Sequence, residues 1–191
     1  MSRARRNDVV MVAAGVLLVA LDQLTKHWIT DYFTTHDANT PIPILGHVLE
    51  LLYTRNTGVA FSILEGQAVL FVFIAVAIAV ISYLYWRMRE TGSLLMKLTF
   101  GLILGGAVGN LIDRVTHGYV VDFVHFQIPG VFNFAVFNLA DSGITVGVLV
   151  LASLLWLREG QRTTAEPKAA EPAARTPAVG EATETTPGMR S

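Results

Sequence analysis

The sequence predicts a mainly α-helical membrane protein with four transmembrane helices, both termini cytoplasmic, and a small β-sheet outside the membrane. Three observations lead there. Of the 191 residues, 52% are hydrophobic and 15% charged, whereas soluble domains carry about 25% charged residues. Four apolar runs are long enough to cross a hydrocarbon core of about 30 Å. Lys and Arg gather on one side of those runs, which sets the orientation.

The first run, Val9–Leu21, follows Arg3, Arg5 and Arg6 and resembles a signal peptide. No small-x-small cleavage site follows it, and the helical pattern continues through Lys26 to Trp28 and Ile29, so 9–29 reads as the first span. The second, 66–86, has no Asp, Glu, Lys or Arg. The third, 98–115, is bracketed by Lys97 and Arg114, and the fourth, 139–157, ends at Arg158. Arg3, Arg5, Arg6, Arg87, Arg89, Lys97, Arg158 and Arg162 then share one face; Arg55, with Lys26 and Arg114 at helix ends, lies on the other. Segments 30–65 and 116–138 therefore face outward.

In the first outer segment, Gly46–Ile63 is rich in Val, Leu, Tyr, Thr and Phe with partial alternation. Asn56-Thr57-Gly58 interrupts it as a turn signal does, and a small surface sheet is expected. In the second, Gly118–Phe137 is apolar and aromatic but broken at Pro129-Gly130, which suits an interfacial segment rather than a fifth span. The sequence divides into a membrane domain over 1–159 and a tail over 160–191. The tail repeats Ala, Pro, Thr and Glu and reads as disordered and cytoplasmic.

Function is carried by polar groups that the topology brings to one depth near the outer surface. Cysteine is absent, which excludes a disulfide framework and any thiolate nucleophile. The five histidines show no HExxH spacing, so neither a metal nor another cofactor is expected. Asp22 and Lys26 are four residues apart on one helix face, either a self-neutralising pair or support for a site. Gly101, Gly105 and Gly109 form a small-xxx-small face suited to close helix packing. Asp113 and Arg114 read as an interfacial ion pair, with Asn110 placed to orient a neighbour.

Asp122 and Asp141 have no Lys or Arg within three positions. Asp141 also reads as a first-turn acid that complements a helix dipole. Two carboxylates brought together in low dielectric cannot both ionise, so one keeps a proton while the other activates water. That chemistry suits amide hydrolysis without a metal. A proton-coupled transporter or channel subunit, with acids spread across the membrane depth, and a non-enzymatic assembly factor are the competing classes.

DQLTK (22–26), RNTGVAFS (55–62), GGAVGNLIDR (105–114), VVDF (120–123) and FNLADS (137–142) occur in this order. Together, over about residues 10–158, they resemble the bacterial lipoprotein signal peptidases, the signal peptidase II family. The resemblance implies a multi-pass aspartyl endopeptidase of the inner (cytoplasmic) membrane, with its site on the extracytoplasmic side. It would cut prolipoproteins just before the diacylglyceryl-modified cysteine. By motif, Asp122 and Asp141 would be the catalytic pair. Asp22, Lys26, Asn56, Gly106, Asn110, Asp113, Arg114, Asn138 and Ala140 would line or support the site. The family's small outer sheet suits 40–63, and its half-helix over the active site suits 116–137, giving a short extracytoplasmic helix or loop. The implied partners are lipid-modified prolipoproteins, membrane lipid and globomycin-type inhibitors, with no nucleic acid and a monomeric state.

Overall fold

The computed structural model describes residues 3–36, 40–58, 67–90 and 92–165. Its elements run α1 (Arg3–Thr35), β1 (Ile42–Leu45), β2 (Leu49–Asn56), α2 (Gln67–Met88), α3 (Leu94–His117), β3 (Val120–Ile128), β4 (Phe132–Asn133) and α4 (Leu139–Ala165). Among the described residues, four helices are long and apolar enough to cross a membrane. The expected spans 9–29, 98–115 and 139–157 each lie within one of them, and α2 covers the expected 66–86 from Gln67 on, position 66 lying outside the described residues.

The largest difference is in α1, which has 33 residues and continues to Thr35. At 1.5 Å per residue that is about 50 Å, well beyond a bilayer core of about 30 Å. Polar residues after Ile29 conceal this extension in the sequence, but one side of it is apolar. Ile29 and Phe33 are buried in a cluster with Val121 and Phe123 of the sheet. The last turns of α1 are therefore held by the sheet.

α3 lies between α1 and α4, and glycine permits the close approach on both sides. A methyl group at Gly105 would stand 2.7 Å from the Gly15 carbonyl oxygen. One at Gly106 would run into the Ala140 carbonyl oxygen and stand 2.7 Å from Ile144 Cγ1. The expected small-residue face is thus a packing device. The start of α3 is capped by Ser93, whose side chain accepts from the Met96 N–H. Gly118 ends it at φ 81°.

α2 is the loosest helix, with no buried residue over Phe71–Met88. Its Ile81, Tyr85 and Met88 pack on a buried cluster of Met11, Met96, Phe100, Ile103 and Leu151. Beside that cluster, Lys97 pairs with Asp8, and the Tyr85 hydroxyl donates to Asp8 at 2.8 Å.

The sheet is antiparallel in the order β1-β2-β3-β4. Its first hairpin starts at Ile42, within the 40–63 expected for the sheet, and turns at Gly46 (φ 54°). The Asn56-Thr57-Gly58 signal stands at the end of β2, where Asn56 Oδ1 accepts from the Gly58 N–H at 2.9 Å. Positions 59–63 of the expected sheet lie outside the described residues.

The half-helix expected over 116–137 is corrected to strand. Val120–Ile128 pairs with β2 over six registered positions, from Leu49↔Phe126 to Asn56↔Val120. Phe137 returns to bridge Val124. Val-Val-Asp-Phe-Val is rich in β-branched and aromatic residues, and the paired edge of β2 satisfies its backbone. The Pro129-Gly130 break is the hairpin turn, with Gly130 at φ 76°. α4 remains helical to Ala165, past the expected start of the tail, and residues 166–191 lie outside the described residues.

Candidate active site

Four elements meet where α3, α4, β2 and β3 approach one another. Asp122 lies in the buried half of β3. Its register partner is Thr54, and Asn56 ends the neighbouring strand. Asp141 is in the first turn of α4, immediately after Asn138-Leu139-Ala140. Asn110 is on α3, about two turns before its C-terminal end.

Each carboxylate is held by amide donors. Asp122 Oδ1 accepts from Asn138 Nδ2 at 2.7 Å, and its Oδ2 accepts from Asn56 Nδ2 at 2.9 Å. Asp141 Oδ1 accepts from Asn110 Nδ2 at 2.7 Å. The two asparagines join the pair, since Asn138 Nδ2 also donates to Asn110 Oδ1 at 3.1 Å. Asn138 is the N-cap of α4 as well. Its Oδ1 accepts from the Asp141 N–H at 2.9 Å, and its own N–H donates to Asp141 Oδ2 at 3.2 Å. This reciprocal box fixes Asp141 as the helix-dipole acid foreseen in the sequence while leaving it in the polar cluster. The two readings of Asp141 are compatible.

Asp122 is 1% exposed. Burial pushes its carboxyl up to about 6; the Asn56 bond opposes the shift, the neighbouring Asp141 charge adds to it, and Asn138 and Lys26 oppose it. A carboxylic acid near neutrality beside a second carboxylate is the arrangement in which one proton is shared.

Behind this pair, Lys26 ties α1 to α3. Its Nζ contacts Asp22 Oδ2 at 2.8 Å, Asp113 Oδ2 at 2.9 Å and Asn110 Oδ1 at 2.9 Å. An ammonium group has three donors, and each has an acceptor. The self-neutralising Asp22–Lys26 pair is present, but it belongs to a wider network. Asp22 Oδ1 accepts from the Ala140 N–H at 2.9 Å, which holds the start of α4. Asp113 Oδ2 accepts from the Val121 N–H at 3.0 Å, which sets β3 one residue before Asp122.

The expected Asp113–Arg114 ion pair is corrected: the partner of Asp113 is Lys26. One residue apart on a helix, the two side chains diverge by about 100°. Arg114 instead donates to the Asn110 carbonyl oxygen at 3.3 Å. With Asn110 it lines a cavity of about 320 Å³ whose other walls include Ile74, Ile78, Leu104, Ala107 and Ile144 from α2, α3 and α4.

The structure thus brings the predicted polar positions together, with Gly106 and Ala140 as the helix contact beneath them. One residue was missed. Gln23 Nε2 lies 2.9 Å from Asp113 Oδ1, 3.1 Å from the Gly109 oxygen and 3.3 Å from Asp22 Oδ2. Its place between Asp22 and Lys26 in DQLTK was the available signal.

Chemically, the arrangement can hold one proton between two carboxylates and orient a water and a carbonyl with asparagine amides. Among the described residues, no group of three His, Asp or Glu side chains is arranged to hold a metal ion.

Comparison with known proteins gives a consistent result. The sequence profile described as Signal peptidase (SPase) II matches residues 14–157. A lipoprotein signal peptidase of Streptococcus agalactiae serotype Ia is 38% identical over 151 residues, covering 79% of this chain and 94% of the relative. A lipoprotein signal peptidase of Caldicellulosiruptor bescii is 46% identical over 140 residues, covering 73% of this chain and 85% of the relative. A solved bacterial membrane enzyme structure, determined in meso at 1.9 Å, superposes with a TM-score of 0.65 at 32% identity and covers 76% of this chain and 92% of that one.

Proposed function

The chain belongs to the signal peptidase II family, and from that premise we propose that Asp122 and Asp141 are its catalytic aspartates. The observation that carries the proposal is the asparagine bridge, which joins the two carboxylates through Asn138 and Asn110. The substrate is a prolipoprotein whose cysteine carries a diacylglyceryl group, and the bond cleaved lies just before that cysteine.

One aspartate enters the reaction ionised and the other protonated. The ionised carboxylate takes a proton from water as the water oxygen attacks the scissile carbonyl. The protonated carboxyl gives its proton to the carbonyl oxygen, which forms a neutral gem-diol. On collapse, one diol hydroxyl returns its proton to the carboxylate that protonated the carbonyl, the carbon–nitrogen bond breaks, and the cysteine nitrogen receives the proton first taken from water. The pair ends with one proton, as it began. Asn110, Asn138 and Arg114 orient the carboxylates and peptide carbonyls, while Lys26, Asp22 and Asp113 hold α1, α3, α4 and β3 in register.

The termini are cytoplasmic, and the sheet and the two aspartates lie on the outer side of the inner membrane. The distribution of Lys and Arg supports this orientation. The cavity lined by Arg114, Asn110 and apolar residues of α2, α3 and α4 receives the end of the signal peptide. The lipid on the cysteine holds the scissile bond at a fixed depth, so the bilayer contributes to positioning. The enzyme works as a monomer, and a cyclic peptide such as globomycin competes for the same cleft.

The double variant Asp122→Asn with Asp141→Asn tests the assignment in cells. It should insert normally and accumulate uncleaved, lipid-modified prolipoprotein. Processing at the wild-type level would identify the polar cluster as scaffolding instead.

A further inference from the structure

We infer that the turn end of the sheet is a membrane anchor that inserts into the outer-leaflet interface and sets the height of Asp122. The inference rests on the outward placement of the sheet proposed above. Two hairpin turns far apart in sequence meet at this end. Leu49 registers with Phe126, and the Gln127 N–H donates to the Val48 oxygen at 2.9 Å. Between them they present Ile44 (56% exposed), Leu45 (66%), Ile128 (43%), Val131 (81%) and Phe132 (48%).

No Asp, Glu, Lys or Arg occurs from Thr40 to Leu49 or from Phe126 to Ala140. A sheet end in water is normally guarded by charge, and exposed apolar patches on soluble surfaces are kept small. The exposed side chains of this end are mainly apolar, with the His47 imidazole, 3.0 Å from Glu50, as an exposed polar group.

Depth favours lipid over a soluble partner. The sheet packs on Ile29 and Phe33 of α1. The same helical turns carry Trp28 and Tyr32, whose rings lie 5.9 Å apart. Trp and Tyr concentrate at the boundary between acyl chains and headgroups. The sheet therefore joins α1 at interface level, and its apolar end continues the lipid-facing belt of the helices. Ring contacts of 6.3 Å between Phe126 and Phe132 and 6.0 Å between Phe132 and Phe134 brace the hairpin. Asp122 and the anchor share β3, so the depth of one fixes the depth of the other.

The native chain has no cysteine, so Val131→Cys gives the full-length protein a single spin-label site. The label is read in phosphatidylethanolamine–phosphatidylglycerol vesicles by power saturation with oxygen, which partitions into lipid, and a nickel chelate, which stays in water. Labels from Leu149→Cys and Thr35→Cys serve as lipid and aqueous references. The Val131 label should follow the Leu149 reference, with oxygen the stronger relaxant and nickel accessibility largely lost. Relaxation matching the Thr35 reference would overturn the inference in favour of a soluble partner. Dipolar broadening that disappears on dilution with unlabelled protein would overturn it in favour of a second copy. Lipid-like relaxation at Leu149 and cleavage of a lipidated substrate report insertion and the peptidase reading separately.

Discussion

Replacing Asp122 by asparagine should abolish cleavage and, at neutral pH, stabilise the fold. Burial holds this carboxyl at about 6 rather than 3.8. Each tenfold change is worth about 1.4 kcal/mol, so ionisation costs the folded state up to ~3 kcal/mol, reduced to the order of 2 where water reaches the site. Asparagine removes that cost but turns an N–H toward one of the two amide donors, Asn138 Nδ2 or Asn56 Nδ2. Losing one such bond costs about 1 kcal/mol. The net expectation is a gain on the order of 1 kcal/mol at pH 7.5. The raised carboxyl is protonated in both folded and unfolded chains below pH 3.8, so the advantage should vanish there. It should grow between 3.8 and about 6 and remain constant above. Thermal unfolding in detergent, followed by the fluorescence of the three tryptophans, reads the difference at pH 7.5 and again near pH 3.5. A variant less stable than wild type at pH 7.5, or an equal gain at both pH values, would refute the burial argument.

Other perturbations probe the frame around the aspartates. Lys26→Met leaves Asp22 and Asp113 buried beside each other without their cation, and should cost about 3–5 kcal/mol, read as a lowered Tm that Lys26→Arg does not restore. Gly106→Ala forces a methyl into the Ala140 carbonyl and Ile144; it should cost about 1–3 kcal/mol and reduce turnover by displacing the start of α4. A dyad that works with one proton loses activity as pH rises through the raised carboxyl at about 6. Asn56→Ala removes a bond that favours the ionised form, so its alkaline limb should move up by on the order of 1 pH unit. An unmoved limb in the profile of kcat/KM would exclude Asn56 from the titration.

Asp122 and Asp141 were legible in the sequence because neither has a neighbouring cation to neutralise it, and a lone acid in an apolar run needs a reason. Asp22–Lys26 was legible for the opposite reason, since i,i+4 spacing places both on one face. The second partner of Lys26 was not, because Asp113 reaches it from another helix. Sequence proximity suggested Arg114 instead, where helical geometry turns the neighbouring side chain away. The last turns of α1 were hidden by scattered polar residues, although Ile29 and Phe33 keep a one-sided apolar pattern four residues apart. β3 was misjudged because VVDFVHF is nearly uninterrupted in its apolar character. A strand buried on both faces loses the alternation that identifies it, and its pairing with β2 is a long-range fact.

The central claim is that this cluster hydrolyses the peptide bond before a lipidated cysteine by sharing one proton between Asp122 and Asp141. Purified full-length protein in lipid micelles, incubated with a diacylglyceryl-modified prolipoprotein, tests it directly, with the products sequenced by mass spectrometry. Wild type should release the signal peptide and a mature chain that begins at the lipidated cysteine. Asp122→Asn and Asp141→Asn should each yield no product above background. Turnover at the wild-type rate in either variant, or cleavage elsewhere in the substrate, would contradict the account.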